Sequence, residues 1–261
     1  MIIDNLSFSY GSREVLKDIS FTAEKGEFIS VLGPNGVGKS TLFRCMLGLL
    51  SPEKGNTYIS GKPISEMSAA QLAKKIAYIP QSHNPVFNFT VFDMVLMGTT
   101  AQTGAFSAPG REQLTLAETA LERLEIAHLK DRGYANISGG ERQLVLIARA
   151  IAQQAKILVM DEPSANLDYG NRIRVMNTMK GLTKDGYAVI QSTHDPDQAF
   201  LYSDKILALY GGRVLAWGTP QETICSSLIS TLYGVNVEVC SMRDDRVRVC
   251  VPIDIDHLKT L

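Results

Sequence analysis

The sequence predicts an α/β fold in which a parallel sheet is covered by helices. Short, largely apolar runs recur along the chain: Phe28–Leu32, 77–80, Ile157–Met160, Ala188–Thr193 and 206–210. Strands apolar on both faces suit a parallel sheet with helices on each side. The first of these runs leads into a glycine-rich stretch, and 41–50 beyond it reads as a helix, a strand–loop–helix order typical of such folds. With 261 residues, 45% of them apolar, the chain has material for one large core and an inserted subdomain.

Taken in order, Ile2–Tyr10 and 20–23 read as strands of a small N-terminal β region. From about 90 to 153 the pattern turns helical, with apolar residues three and four apart in Leu114-Ala117-Leu121-Leu124 and Leu144-Ile147-Ala148-Ile151. A loop of small residues over 99–110 interrupts it. In the tail, Val235-Val237-Val239 and Val247-Val249-Val251 alternate with period two around Arg243-Asp244-Asp245, the signature of a terminal hairpin. The expected division is a nucleotide-binding core of 1–84 and 154–224, a helical subdomain of 85–153, and a C-terminal extension of 225–261.

Composition excludes several classes. A net charge of −1 gives no global attraction to nucleic acid or anionic lipid. The four cysteines, Cys45, Cys225, Cys240 and Cys250, lack metal-type spacing and read as buried free thiols. No basic segment followed by an apolar core opens the chain, and no run of about 18 apolar residues offers a membrane span.

The chemistry lies in four places. Gly33-Pro34-Asn35-Gly36-Val37-Gly38-Lys39-Ser40 fits G-x-x-x-x-G-K-[ST]. Its glycines let successive N–H groups point inward at phosphate, Lys39 reaches the outer phosphates, Ser40 ligates Mg²⁺, and Thr41 assists at the α-phosphate. The strand Ile157–Met160 ends in Asp161-Glu162, one carboxylate for a metal shell and one for polarising water. Ser138-Gly139-Gly140-Glu141 is a capping box whose glycine pair leaves helix N–H groups uncovered, and both a plain cap and a second anion site fit it. His194 closes a further apolar strand.

Together these residues resemble the ATP-binding subunit of an ABC transporter over nearly the whole chain. GPNGVGKST is the Walker A form of that family, and ISGGERQ (137–143) its signature with Ile for the usual Leu. ILVMDEP is the Walker B strand, Ser164-Ala165-Asn166-Leu167-Asp168 is similar to the D-loop, and Ser192-Thr193-His194-Asp195 to the switch histidine. Tyr78-Ile79-Pro80-Gln81 resembles the Q-loop, and Phe8-Ser9-Tyr10 ends where the family has its adenine-stacking aromatic.

The resemblance implies a RecA-like P-loop NTPase core with an N-terminal antiparallel β region, an inserted helical subdomain and a C-terminal hairpin. It implies ATP and Mg²⁺, with Ser40, Gln81 and Asp161 at the metal and Glu162, His194 and Gln81 in hydrolysis. Tyr10 stacks on adenine. Ser138, Gly139, Gly140 and Glu141 meet the ATP of a second copy, and Asp168 helps join the two sites. Taken singly, Tyr10 and Gln81 also fit plain surface residues, and His194 a core histidine. The implied partners are a homodimer of ATPase subunits, a permease dimer and, indirectly, an extracytoplasmic binding protein, with no nucleic acid; the implied location is peripheral, at the cytoplasmic face of the membrane.

Residues 88–98 and Gly104-Ala105-Phe106, with the ending Tyr233-Gly234-Val235-Asn236-Val237, resemble the branch importing iron–siderophore, haem and vitamin B12. Thr99 stands where that branch often has Arg. Molybdate or tungstate importers share the architecture, and a soluble ABC ATPase is the rival class. A DNA-repair relative would need a coiled-coil insertion, for which no sustained heptads exist. Val86, Phe87, Phe89, Val91 and Phe92 beside Gln81 are expected either to receive a permease helix or to form the subdomain core.

Overall fold

The computed structural model describes residues 1–81, 89–103 and 108–253. The chain divides into two compact units, one of residues 1–61 and 190–261, the other of residues 62–189.

The first unit opens with β1 (Ile2–Tyr10) and β2 (Arg13–Thr22), which pair antiparallel. Strand β2 is longer than the expected 20–23. Its apolar period breaks at Asp18, and Asp18 (φ 53) and Asn5 (φ 48) take left-handed backbone where the register shifts. Strand β3 (Phe28–Leu32) is buried at all five positions and leads to α1 (Lys39–Met46). The expected helix over 41–50 starts earlier and stops at Met46, because Gly48 (φ 67) turns the chain and donates its N–H to Cys45 O at 3.0 Å. Strand β4 (Lys54–Ile59) then pairs antiparallel with β1. A Cβ at Gly55 (φ 76) would overlap the backbone of Asp4 and Asn5, so only glycine lets the two strands close.

The second unit runs through β5 (Lys62–Pro63), α2 (Ala69–Ala73) and β6 (Ile76–Ile79). Its helical part comprises α3 (Val91–Leu96), α4 (Thr100–Thr103), α5 (Arg111–Arg123) and α6 (Gly139–Ala152). Helix α6 lies against α3 and α5, burying Leu144, Val145, Ile147 and Ala148. Gly98 fits beneath it, since a Cβ there would overlap the carbonyl of Arg149. Strand β7 (Ile157–Met160) pairs parallel with β6, and α7 (Tyr169–Lys184) follows. Of the expected docking cluster, Val91 is core at 0% exposure, whereas Phe89 and Phe92 are partly exposed. Val86, Phe87 and the Gly104-Ala105-Phe106 segment lie outside the described residues.

Strand β8 (Ala188–Thr193) carries the chain back to the first unit, followed by α8 (Pro196–Tyr202) and β9 (Lys205–Tyr210). Strand β9 pairs parallel with β3 and antiparallel with β10 (Arg213–Gly218). The C-terminal part holds α9 (Pro220–Thr223), α10 (Ser226–Tyr233) and the hairpin β11 (Val237–Met242) with β12 (Val247–Pro252). Arg243, Asp244 and Asp245 turn the hairpin as expected, all three at positive φ. The cysteines are free, but only Cys45 is buried; Cys225 is exposed and Cys240 and Cys250 lie half-way. Cys225 precedes α10, and Cys240 and Cys250 lie on the two-stranded hairpin.

Candidate functional site

The glycine-rich loop joins β3 to α1. Gly36 (φ 79) and Gly38 (φ 114) take left-handed backbone that other residues resist. Gly38 is also crowded: a Cβ would stand 3.0 Å from Leu16 Cδ2 and 3.3 Å from Val15 O. At Gly33 the same atom would lie 2.7 Å from Leu209 O. The first bond within α1 runs from Leu42 N–H to Gly38 O at 2.8 Å, and no side chain caps the helix, so the earlier amides are directed out of its end. That is a cradle for phosphate oxygens. Lys39 is buried within it, donating from Nζ to Gly33 O at 2.7 Å and Pro34 O at 3.2 Å. A bound phosphate would offer this ammonium stronger, charged acceptors.

The end of β8 lies against the same loop. Gly33 N–H donates to Thr193 O at 3.4 Å, which brings the segment carrying the exposed His194 to the phosphate loop. Tyr10, at the end of β1, is 46% exposed and stands edge-on to Phe8 at 4.9 Å, leaving a face open for stacking. The first unit therefore joins the phosphate loop to the histidine segment.

In the second unit the pairing of β6 with β7 sets Ile79 opposite Met160, so the residues just beyond these strands emerge together. Gln81 Nε2 donates to Glu162 Oε2 at 3.3 Å, and Asp161 N–H to Ile79 O at 2.9 Å. Asp161 is buried. Glu162 adopts φ 45, a left-handed backbone that costs about 1–2 kcal/mol in a residue with a side chain.

Ser138 caps α6 as expected: Glu141 N–H donates to Ser138 Oγ at 3.3 Å, and Ser138 N–H to Glu141 Oε2 at 2.7 Å. The amide bond from Ser138 holds the Glu141 carboxyl below its ordinary range. The two glycines differ. A Cβ on Gly140 would overlap Asn171 Cγ and stand 2.6 Å from its Oδ1, whereas on Gly139 it would meet only Leu167 Cδ2 at 3.8 Å. Asn171 is itself fixed by Asp168, which caps α7 by accepting from Asn171 N–H at 2.8 Å and Nδ2 at 2.7 Å. Those bonds pull the Asp168 carboxyl down. Asn171 was not singled out in the sequence, although an aspartate three residues before an asparagine at a helix start signals the cap.

A nucleoside triphosphate fits the phosphate cradle, whose outward-directed amides and Lys39 ammonium are donors for phosphate oxygens. For Mg²⁺, the hydroxyl of Ser40, the amide of Gln81 and the carboxylate of Asp161 are hard oxygen donors of the type that ion takes. Among the described residues no group of three or more His, Cys, Asp or Glu side chains forms a metal cluster, and no helix is long and apolar enough to cross a membrane.

A strand–loop–helix phosphate cradle, a strand ending in paired carboxylates and a capped glycine-pair helix define an ATP-binding cassette. The ABC transporter family matches residues 16–165, and the chain belongs to that family. It is an ATPase subunit. An uncharacterized ABC transporter ATP-binding protein of Haemophilus influenzae is 48% identical over 205 residues, 78% of each chain. An iron chelatin transport ATP-binding protein of Helicobacter pylori is 35% identical over 95% of this chain and 97% of its own length. The hemin import protein HmuV of Thermobifida fusca is 34% identical over 95% and 87%. Among solved structures, an inward-facing metal-chelate type ABC transporter aligns with TM-score 0.84 at 29% identity, covering 97% of this chain and 96% of that one.

Proposed function

We propose that this chain is the motor of an importer for metal chelates of the iron-chelate, haem or cobalamin kind. Two copies would enclose two ATP molecules, drive a membrane permease fed by an extracytoplasmic binding protein, and sit peripherally at the cytoplasmic face. The cargo class is supported by relatives named for iron chelatin, hemin and cobalamin import. The observation that carries the two-copy arrangement is Gly139. It opens the N-terminus of α6 although its own chain leaves room there for a side chain.

In this scheme the N–H groups of the glycine-rich loop beyond Pro34 and of the first turn of α1, with the Lys39 ammonium, bind the phosphates, and Tyr10 stacks on adenine. Glu162 accepts a proton from the attacking water, aligned by Gln81, and His194 contacts the γ-phosphate. Ser138 and Gly140, with their neighbours Gly139 and Glu141, close over the triphosphate of the other copy, and Asp168 borders the joint. Mg²⁺, held by Ser40, Gln81 and Asp161, would neutralise charge on the phosphate oxygens. Positioning and charge compensation carry most of the catalysis in phosphoryl transfer.

The test is Glu162→Gln. Turnover should fall by at least about a hundredfold while ATP binding persists, and ATP should convert the protein to a stable dimer visible by light scattering. A variant that hydrolyses normally, or stays monomeric with ATP even beside its permease, sinks the proposal.

A further inference from the structure

The peptide that joins His194 to Asp195 is held at both ends. Its N–H, on Asp195, donates to Thr193 Oγ1 at 3.1 Å. Its carbonyl, on His194, accepts from the Tyr233 hydroxyl at 2.9 Å. Fixing both poles of one peptide plane fixes the backbone torsions beside it, and with them the direction in which the His194 side chain leaves the chain. Thr193 O, in the preceding peptide, receives the N–H of Gly33, so both sides of His194 are tied down and one of them to the phosphate loop itself.

Tyr233 comes from the C-terminal extension. It closes α10, and Gly234 (φ 68) ends that helix just beyond it. Leu228, Ile229 and Leu232 of α10 share a core with Leu32, Ala199 and Phe200, so the helix is seated against the strand entering the phosphate loop and against α8. The hairpin grips α8 as well. Cys250 N–H donates to Asp197 Oδ1 at 2.9 Å, and the Arg248 guanidinium lies 5.2 Å from the Phe200 ring. Arg248 is itself anchored to Asp245 Oδ1 and Oδ2, both at 2.7 Å, and to Gln221 O at 2.9 Å. Helix α8 starts from Asp195, whose carboxylate receives Gln198 N–H at 3.0 Å. The extension thus holds the histidine segment by its carbonyl and by the helix that follows.

We propose that the C-terminal extension positions the switch histidine, with Tyr233 as the positioning residue acting through the His194 carbonyl. This rests on the assignment of His194 to the γ-phosphate. The extension is then part of the hydrolytic apparatus rather than only a cap or a surface for a second copy.

Tyr233→Phe removes one hydroxyl and keeps the ring. In the full-length chain, kcat for ATP should fall about three- to tenfold, the worth of one hydrogen bond to geometry. KM, nucleotide affinity and Tm should stay close to those of the parent. Incorporation of 4-aminophenylalanine at 233, which restores a donor, should return most of the rate. His194→Ala is measured beside it and should be nearly inactive. An unchanged rate in Tyr233→Phe next to an inactive His194→Ala overturns the positioning role alone. So does a variant in which rate, KM and Tm all deteriorate and the amine fails to rescue, because that marks a packing role. A His194→Ala protein with parental activity would instead remove the assignment of the histidine on which the inference stands.

Discussion

Substituting alanine at Gly139 and at Gly140 separates what the chain needs in order to fold from what a second copy needs in order to bind. At Gly139 the added methyl meets nothing nearer than Leu167 Cδ2 at 3.8 Å, an ordinary contact. Gly139 is the first helical residue, directly after the Ser138 cap, so alanine should be tolerated there and Tm should stay at or slightly above that of the parent. If a second copy brings its triphosphate to this helix end, as proposed, the methyl would crowd the approach. ATPase activity of the assembled transporter should therefore drop by at least about tenfold. At Gly140 the methyl overlaps Asn171, which Asp168 fixes, so Gly140→Ala should lower Tm by several degrees as well as activity. Differential scanning fluorimetry of the isolated chain and phosphate release in the assembled complex give the two readouts. If Gly139→Ala kept full activity, or lost stability and activity in parallel, the glycine would serve its own helix and the argument for a composite site would fail.

Two further outcomes follow from the site geometry. Lys39→Ala should weaken ATP binding by at least about tenfold, since a charged donor inside the cradle is lost, and calorimetric titration that finds affinity within twofold of the parent would contradict its role. Asp168→Asn keeps the helix cap but removes the charge. The Asp168 carboxyl is depressed in the folded chain, so its stabilisation is fully present above its unfolded value of about 3.9 and is lost as pH falls through the lower folded value. Urea midpoints of parent and variant should therefore differ at pH 7 and converge in acid; a constant offset across that range would exclude the charge as the cause.

The parts legible in the sequence are those where one local rule dominates. Phe28–Leu32 is apolar save for Ser30 because the strand is buried on both faces, and the loop after it is fixed by glycines that sterics demand. The capping box at Ser138 and the hairpin turn at 243–245 follow short-range hydrogen bonding and backbone preference. Where the chain is irregular, periodicity fails. Strand β2 hides behind the bulge at Asp18, β4 behind Gly55, and the end of α1 behind Gly48. Long-range contacts carry no local mark at all. Nothing near Tyr233 announces that its hydroxyl reaches a carbonyl 39 residues earlier. Likewise, the cap at Asp168 is a local signal, but that Asn171 closes against Gly140 of α6 is not.

The left-handed backbone at Glu162 has a consequence for anyone who engineers this chain. Glycine or asparagine would relax that torsion and be rewarded in any screen that scores heat resistance alone, yet either would delete the carboxylate. Selection for durability would thus drift toward an inert protein that looks improved, and position 162 has to be held constant in such a library.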